Sequence, residues 1–190
     1  KEKFCFFSKN RGSGKLIWFH GASVGEIMSV IPIIKKYDND KSINKILITS
    51  STLSSSNIIN KIKFKKTIHQ FYPIDHIFFS NKFLNYWKPD IAFFLESEIW
   101  PSMFKSLKKR NIPLILLNAR ITKRTFERWS KLKNFAKSIF GLIDIAYPQN
   151  KETKKFLQKL NTEKIISIGN LKYIDYDNSN YNKTDKKLFL

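Results

Sequence analysis

At 190 residues, 42% of them hydrophobic and 15% aromatic, the chain can bury one domain core and is too apolar for intrinsic disorder. Its 35 Lys and Arg against 15 Asp and Glu give a net charge of +20, which attracts polyanions: nucleic acid, acidic membrane surfaces, phosphorylated lipids or nucleotide sugars. The single cysteine, Cys5, excludes an internal disulfide and a cysteine-built zinc site, and no apolar run approaches the ~20 residues of a membrane span.

Short apolar runs alternate with amphipathic stretches along the chain. Strands are predicted at Leu16–His20, Lys45–Thr49, Ile68–Tyr72, Ile91–Leu95, Leu114–Leu117, Leu142–Ala146 and Lys164–Ile168. They are continuously apolar, as parallel strands covered on both faces must be. Helices are predicted between them at Gly25–Lys36, Ser54–Lys63, Asp75–Trp87, Pro101–Arg110, Lys123–Phe140 and Lys151–Leu160. In the fifth, Phe126, Trp129, Leu132, Phe135 and Ile139 recur at steps of three or four and form one apolar face. Alternating strands and helices imply right-handed βαβ units and a doubly wound, mostly parallel, Rossmann-like α/β sheet. Its ligands are expected outside the carboxyl ends of the strands. The domain is expected to run over residues 1–175. Residues 176–190 read as a polar linker and the start of a second domain, with Leu188–Leu190 as the beginning of its first strand. The first ten residues lack an initiator Met and the layout of a secretory signal, so the chain reads as a piece of a longer protein.

Four segments carry chemistry, each where a strand gives way to a helix or loop. In His20-Gly21-Ala22-Ser23-Val24-Gly25-Glu26, Gly21 and Gly25 let backbone N–H groups approach a ligand, and the helix N-terminus favours an anion. Glu26 in that first turn balances the helix dipole or acts as a base. In Glu96-Ser97-Glu98-Ile99-Trp100-Pro101, Glu98 reads as a helix cap or a ligand. Glu96, after four apolar residues, is costly there without a partner or a task. In Asn118-Ala119-Arg120-Ile121-Thr122, Arg120 is an anion ligand or the partner of a buried glutamate. In Gly169-Asn170-Leu171-Lys172-Tyr173, Gly169 ends a strand and Lys172 projects from the same edge. The segment Asp38-Asn39-Asp40 has the acid-x-acid pattern of some metal sites, but it follows a helix in a turn-rich stretch and reads as a turn. His20, His69 and His76 lack zinc-site spacing, neither the GxGxxG nor the P-loop pattern is met, and there is no GxSxG.

Together, in this order and spacing, the four segments resemble the Kdo (3-deoxy-D-manno-octulosonic acid) transferase family over about Lys15 to Asp175. Softer agreement comes from Thr49–Ser56, Tyr72-Pro73-Ile74-Asp75 and Pro148-Gln149-Asn150. The resemblance implies the N-terminal, acceptor-binding half of a two-domain GT-B glycosyltransferase that is inverting and metal-independent and needs no cofactor. It implies transfer of Kdo from CMP-Kdo to the lipid A precursor at the cytoplasmic face of an anionic bacterial inner membrane. Glu26 falls on the general base, and Glu96 and Lys172 on positions that stabilise the transition state. Gly21, Ser23, Gly25, Glu98 and Arg120 fall on substrate-binding positions.

Two other readings compete. A basic α/β nucleic-acid-binding module would use the charge and the aromatics, but no RNA-recognition or helix-turn-helix pattern is present and the aromatics fall on core periods, so no nucleic acid is expected. An inactive sugar-binding relative is expected to have lost Glu26 or Lys172, and both are present.

Overall fold

The computed structural model describes residues 1–62 and 64–171. Lys172, the expected boundary after residue 175 and the expected strand at Leu188–Leu190 lie outside the described residues. Six strands form one parallel sheet: β1 (Leu16–His20), β2 (Lys45–Ser50), β3 (Thr67–Phe71), β4 (Ile91–Leu95), β5 (Leu114–Ala119) and β6 (Ile145–Pro148), in the order β3-β2-β1-β4-β5-β6. The helices are α1 (Val24–Asn39), α2 (Leu53–Lys61), α3 (Ile77–Trp87), α4 (Pro101–Lys109), α5 (Lys123–Lys131), α6 (Lys133–Phe140) and α7 (Lys151–Lys159). The doubly wound, parallel, Rossmann-like class expected from the sequence is the one observed. The strand order reverses between β1 and β4, which makes that gap the topological switch point.

The alternation of side chains along the strands divides the core in two. Ile17, Phe19, Ile46, Ile48, Phe93 and Leu95 turn to one face, where α1 covers them with Ile27, Val30, Ile31 and Ile34. Trp18, Leu47, Phe94 and Leu116 turn to the other, against Phe83 and Trp87 of α3, Phe104 of α4 and Phe140 of α6. Trp18 lies at the centre of that layer, its ring centroid 4.9 Å from Phe83 and 5.1 Å from Phe94. Both layers are dry and aromatic, so burial of apolar area is the main stabilising term.

Three elements depart from expectation. The predicted helix Lys123–Phe140 is two helices, broken at Leu132 (φ −107°, ψ 50°). Of the apolar face expected there, Phe126 stacks on Phe156, Trp129 meets Phe140 edge-on and Ile139 is buried, whereas Leu132 and Phe135, next to the break, are exposed. The sixth strand begins at Ile145, three residues later than predicted, because Leu142 and Ile143 close the turn after α6 through bonds to Ile139 and Phe140. Lys164–Ile168 forms only one bridge, Ile165 with Ala146, and Ile168 is exposed, so no second layer covers that edge as a buried strand requires. Among the described residues no helix is long and apolar enough to cross a membrane.

Asp38-Asn39-Asp40 serves the fold. Asp38 ends α1 as a buried acid that accepts the backbone N–H groups of Lys65 (3.0 Å) and Lys66 (2.8 Å), tying α1 to the approach to β3. Asp40 closes an exposed turn by accepting Ser42 N–H at 2.8 Å. Asp38→Ala leaves two N–H groups without their acceptor and should lower stability by about 1–3 kcal/mol in urea unfolding, whereas Asp40→Ala should move the midpoint little.

Candidate functional site

The loops after β1 and β4 part at the switch point, and the singled-out acids lie on their two lips. Gly21 leaves β1 with its N–H bound to Thr49 O at 3.1 Å. A Cβ there would lie 2.8 Å from Leu95 Cδ1 and 3.0 Å from Ile27 Cδ1, so a side chain at this position would have to displace the tips of two buried core residues. Ser23 then caps α1, its hydroxyl accepting Glu26 N–H at 3.3 Å. Glu26 closes the turn in return: Oε1 accepts the Ser23 hydroxyl at 3.0 Å and Oε2 accepts Ala22 N–H at 2.9 Å. This reciprocal cap is a variant of the capping box, and it places a carboxylate where it balances the helix dipole. Gly25, on the outer side of the same turn, is exposed, and a Cβ on it would meet nothing within 4 Å.

Glu96 and Glu98 follow β4. Glu96 is buried and holds a left-handed backbone (φ 51°), with its N–H on Leu117 O at 2.9 Å and its carbonyl accepting Arg120 N–H at 3.1 Å. Glu98 does not cap α4, whose N-cap is Trp100 and whose first turn is capped by Asp75 through Ser102 N–H and Met103 N–H. Its Oε2 instead accepts Trp100 Nε1–H at 2.8 Å and lies 3.1 Å from His20 Nε2, with the side chain only 13% exposed. The structure thus brings Glu26, Glu96 and Glu98 to one crevice. Burial, helped by the charges of Glu98 and Glu96, pushes the Glu26 carboxyl above the usual glutamate range, against the bonds from Ser23 and Ala22 that pull it down. Arg120 sits at the same edge with an exposed guanidinium. Among the described residues its contact with Glu96 is through the backbone only, so it is not the ion-pair partner of that acid.

Two participants were not legible as such. His20 is fully buried at the end of β1, with Nδ1 3.0 Å from Thr49 Oγ1 and its ring stacked on Tyr72 at 3.9 Å. Asn118, buried and left-handed at the end of β5 (φ 51°), accepts Leu171 N–H at 3.1 Å. Leu171 packs into the α1-side core, so the residue before Lys172 is anchored beneath the crevice. Gly169 has φ 88°, the left-handed turn that brings this segment there. A polar residue ending an apolar strand was the available signal in both cases; their partners lie 29 and 53 residues away.

The fold and the crevice define a Rossmann-type α/β domain whose polar groups converge on the switch point. The chain belongs to the Kdo transferase family: the model of the 3-deoxy-D-manno-octulosonic-acid transferase domain matches residues 1–174. A 3-deoxy-D-manno-octulosonic acid transferase of Rickettsia bellii is 34% identical over 91% of this chain and 41% of its own length. That of Rickettsia felis is 36% identical over 83% and 34%. The chain therefore spans about four-tenths or less of these relatives. Among solved structures, a UDP-GlcNAc 2-epimerase from Neisseria meningitidis superposes with a TM-score of 0.58 at 14% identity, covering 84% of this chain and 47% of that one. That likeness is one of fold.

The two glycines separate packing from ligand access. Gly21→Ala should cost about 1–3 kcal/mol through overpacking. Gly25→Ala should leave thermal stability unchanged or raise it by up to about 1 kcal/mol. The histidines predict an acid weakening. Burial lowers the pKa of His20 and takes that of His69, bound to Ser50 Oγ at 2.8 Å, to about 4. Both are neutral when folded, so the unfolded chain binds more protons below about pH 6.5. Stability should be complete above that pH and fall as pH drops from 6.5 toward about 4, as read by unfolding midpoints across a pH series.

Proposed function

We propose that this chain supplies the acceptor-side wall of an inverting, metal-independent Kdo transferase that moves Kdo from CMP-Kdo onto a hydroxyl of the lipid A precursor. The observation that carries this reading is Glu26: a carboxylate fixed at a helix N-terminus, facing the switch-point crevice, and made more basic by burial and two neighbouring acids. Attack of the acceptor hydroxyl on the anomeric carbon needs a positioned base for the hydroxyl proton, and a carboxylate with a raised pKa is a stronger one. The bonds from Ser23 and Ala22 fix the carboxylate direction, so little reorganisation is needed when the proton arrives. Glu96 and Glu98 place negative charge where an oxocarbenium-like centre develops. Lys172 and Arg120 are assigned to the anionic carboxylate and phosphate of the donor, and the bare face at Gly25 to close approach of a substrate.

The reading extends to an anionic membrane surface as the place of work. Phe4, Phe6, Leu53, Ile74, Ile77 and Phe78 are exposed, and Lys82 lies 5.1 Å over the Phe6 ring. Ile74 N–H bonds Lys3 O at 3.1 Å and Phe4 meets Phe79 edge-on, which joins these residues into one apolar patch edged by lysines. Two basic stretches lie on α4 to α6, of which Lys105–Arg110 is partly committed to the fold. Lys108 pairs with Asp144 at 3.1 Å, and Arg110 binds Asn81 and Asn85. Lys123–Lys137 carries Arg124, Arg128, Lys131 and Lys133 with exposed Leu132 and Phe135. Liposome binding should require anionic lipid and weaken as salt rises, each basic residue near the surface contributing about 1 kcal/mol. Equal binding to neutral vesicles at high salt would remove the electrostatic part of the account.

Lys1–Leu190 alone is expected to fold without turning over CMP-Kdo. In the complete enzyme, Glu26→Gln keeps the shape of the cap and removes the base. Single-turnover transfer should fall by about 10²–10⁴ with thermal unfolding nearly unchanged. Near-normal transfer by the folded variant would place the base elsewhere.

A further inference from the structure

The buried imidazole of His20 has a geometry that the proposed reaction leaves unused. Its ring is sealed from solvent between Tyr72 (centroids 3.9 Å, nearly parallel) and Phe94 (5.2 Å, edge-on), with Trp100 at 6.0 Å. Both nitrogens are engaged. Nδ1 lies 3.0 Å from Thr49 Oγ1 and 3.2 Å from Thr49 O, and Nε2 lies 3.1 Å from Glu98 Oε2.

The surrounding bonds choose the tautomer. Trp18 Nε1–H donates to Thr49 Oγ1 at 2.9 Å, so that hydroxyl keeps its own proton to give away, and Nδ1 is an acceptor within reach. With Nδ1 accepting, the ring proton sits on Nε2 and points at the Glu98 carboxylate. The other tautomer would let Nδ1–H donate to Thr49 O at 3.2 Å but would turn a lone pair of Nε2 toward a carboxylate oxygen; the carboxylate is the stronger acceptor of the two, so the proton goes to Nε2. Burial holds the ring neutral, outweighing the pull of Glu98 toward the charged form. The chain of donors therefore runs Trp18 to Thr49 to His20 to Glu98, across the ends of β1, β2 and β4. Trp100 supplies a second N–H to the same Oε2 at 2.8 Å.

We propose that His20 is a positioning residue of the transferase: by donating from Nε2 it fixes the ionised Glu98 carboxylate in the crevice beside Glu26. This rests on the reading of Glu26 as the base. Two N–H donors on one oxygen restrict the rotation of the Glu98 carboxylate. Among the described residues, the titratable groups that face this pair are Glu96 at the end of β4, and Tyr72 and Asp75 after β3, and none of these is cationic. Without the His20 donor, Glu98 would have only Trp100 to hold it, and the base would lose a fixed negative neighbour.

The test uses the complete enzyme. His20→Phe keeps the ring volume and the stack without the donor. It should lower kcat by about 10- to 100-fold with KM little changed. His20→Gln, whose Nε2 can reach the same oxygen, should recover much of that loss. Glu98→Gln should move the acid limb of the pH–rate profile to lower pH by about half a unit or more, because a like charge beside Glu26 has gone. In the wild-type protein, ¹⁵N spectra of the His20 ring should show the Nε2–H form with no titration between pH 8 and pH 5. An Nδ1–H form, a ring that titrates near 6.5, or a folded His20→Phe enzyme with unaltered rate and pH profile would overturn the proposal. If His20→Phe does not fold, the Glu98→Gln limb and the wild-type spectra decide it, a stationary limb counting against. Loss of the base reading would show separately, as undiminished transfer by Glu26→Gln.

Discussion

The pairing of β1 with both β2 and β4 is the constraint on which the rest of the molecule depends. A strand paired on both sides by strands whose crossovers run in opposite directions has loops that diverge at its carboxyl end, and the crevice between them is a consequence of topology. Gly21 turns the chain there in close contact with its neighbours, because Leu95 of β4 and Ile27 of α1 fill the space that a side chain would take. The dry core below and the polar crevice above are thus set by one close approach. Phe19 and Phe93, stacked at 4.8 Å from β1 and β4, hold it from one face, and Trp18 with Phe94 holds it from the other.

A buried polar network is stable only when its members satisfy one another. Trp18, Thr49, His20, Glu98 and Trp100 meet that condition in sequence, and the bonds from Trp18 through Thr49 and His20 to Glu98 cross between elements far apart in the chain. The network therefore does two things with the same contacts. It locks the ends of β1, β2 and β4 in register, and it carries a carboxylate up to the lip of the crevice. Asn118 does the equivalent at β5, tying the Gly169–Leu171 segment down through Leu171 N–H.

How much of this could be read from the sequence depends on the range of the interaction concerned. Strands buried on both faces declare themselves locally, and five of the six observed strands lie within a residue or two of their predicted ends. Glu26 was legible because helix start, glycine and acid fall within a few residues. The break at Leu132 was not, since both helices keep the apolar period and the change is in the backbone of one residue. Glu98 looked like a cap for α4 because an acid just before Pro101 has that local meaning; Asp75, 27 residues away from Ser102, holds the position instead. His20 was visible as the first residue of its segment and as a histidine lacking zinc spacing, but not by its contacts, because these are with Thr49 and Glu98, neither of them near it in sequence.

The charge pattern has a physical logic of its own. A chain with a net charge of +20 gathers three carboxylates, Glu26, Glu96 and Glu98, around one crevice. Mutual repulsion among them is unfavourable in the folded state and pushes the Glu26 carboxyl up, so the arrangement weakens the fold slightly at neutral pH. Meanwhile α5 opens on Lys123 and Arg124, with no acid in its first turn, adding positive charge to the positive end of a helix dipole. Each placement is opposite to what stability alone favours, negative charge crowded with negative and positive with positive. On the proposed reading, both placements serve a ligand that is anionic at its periphery and loses negative charge, or gains positive character, at its reacting centre: the outer field would draw it in, and the acids of the crevice would stabilise it where its charge changes.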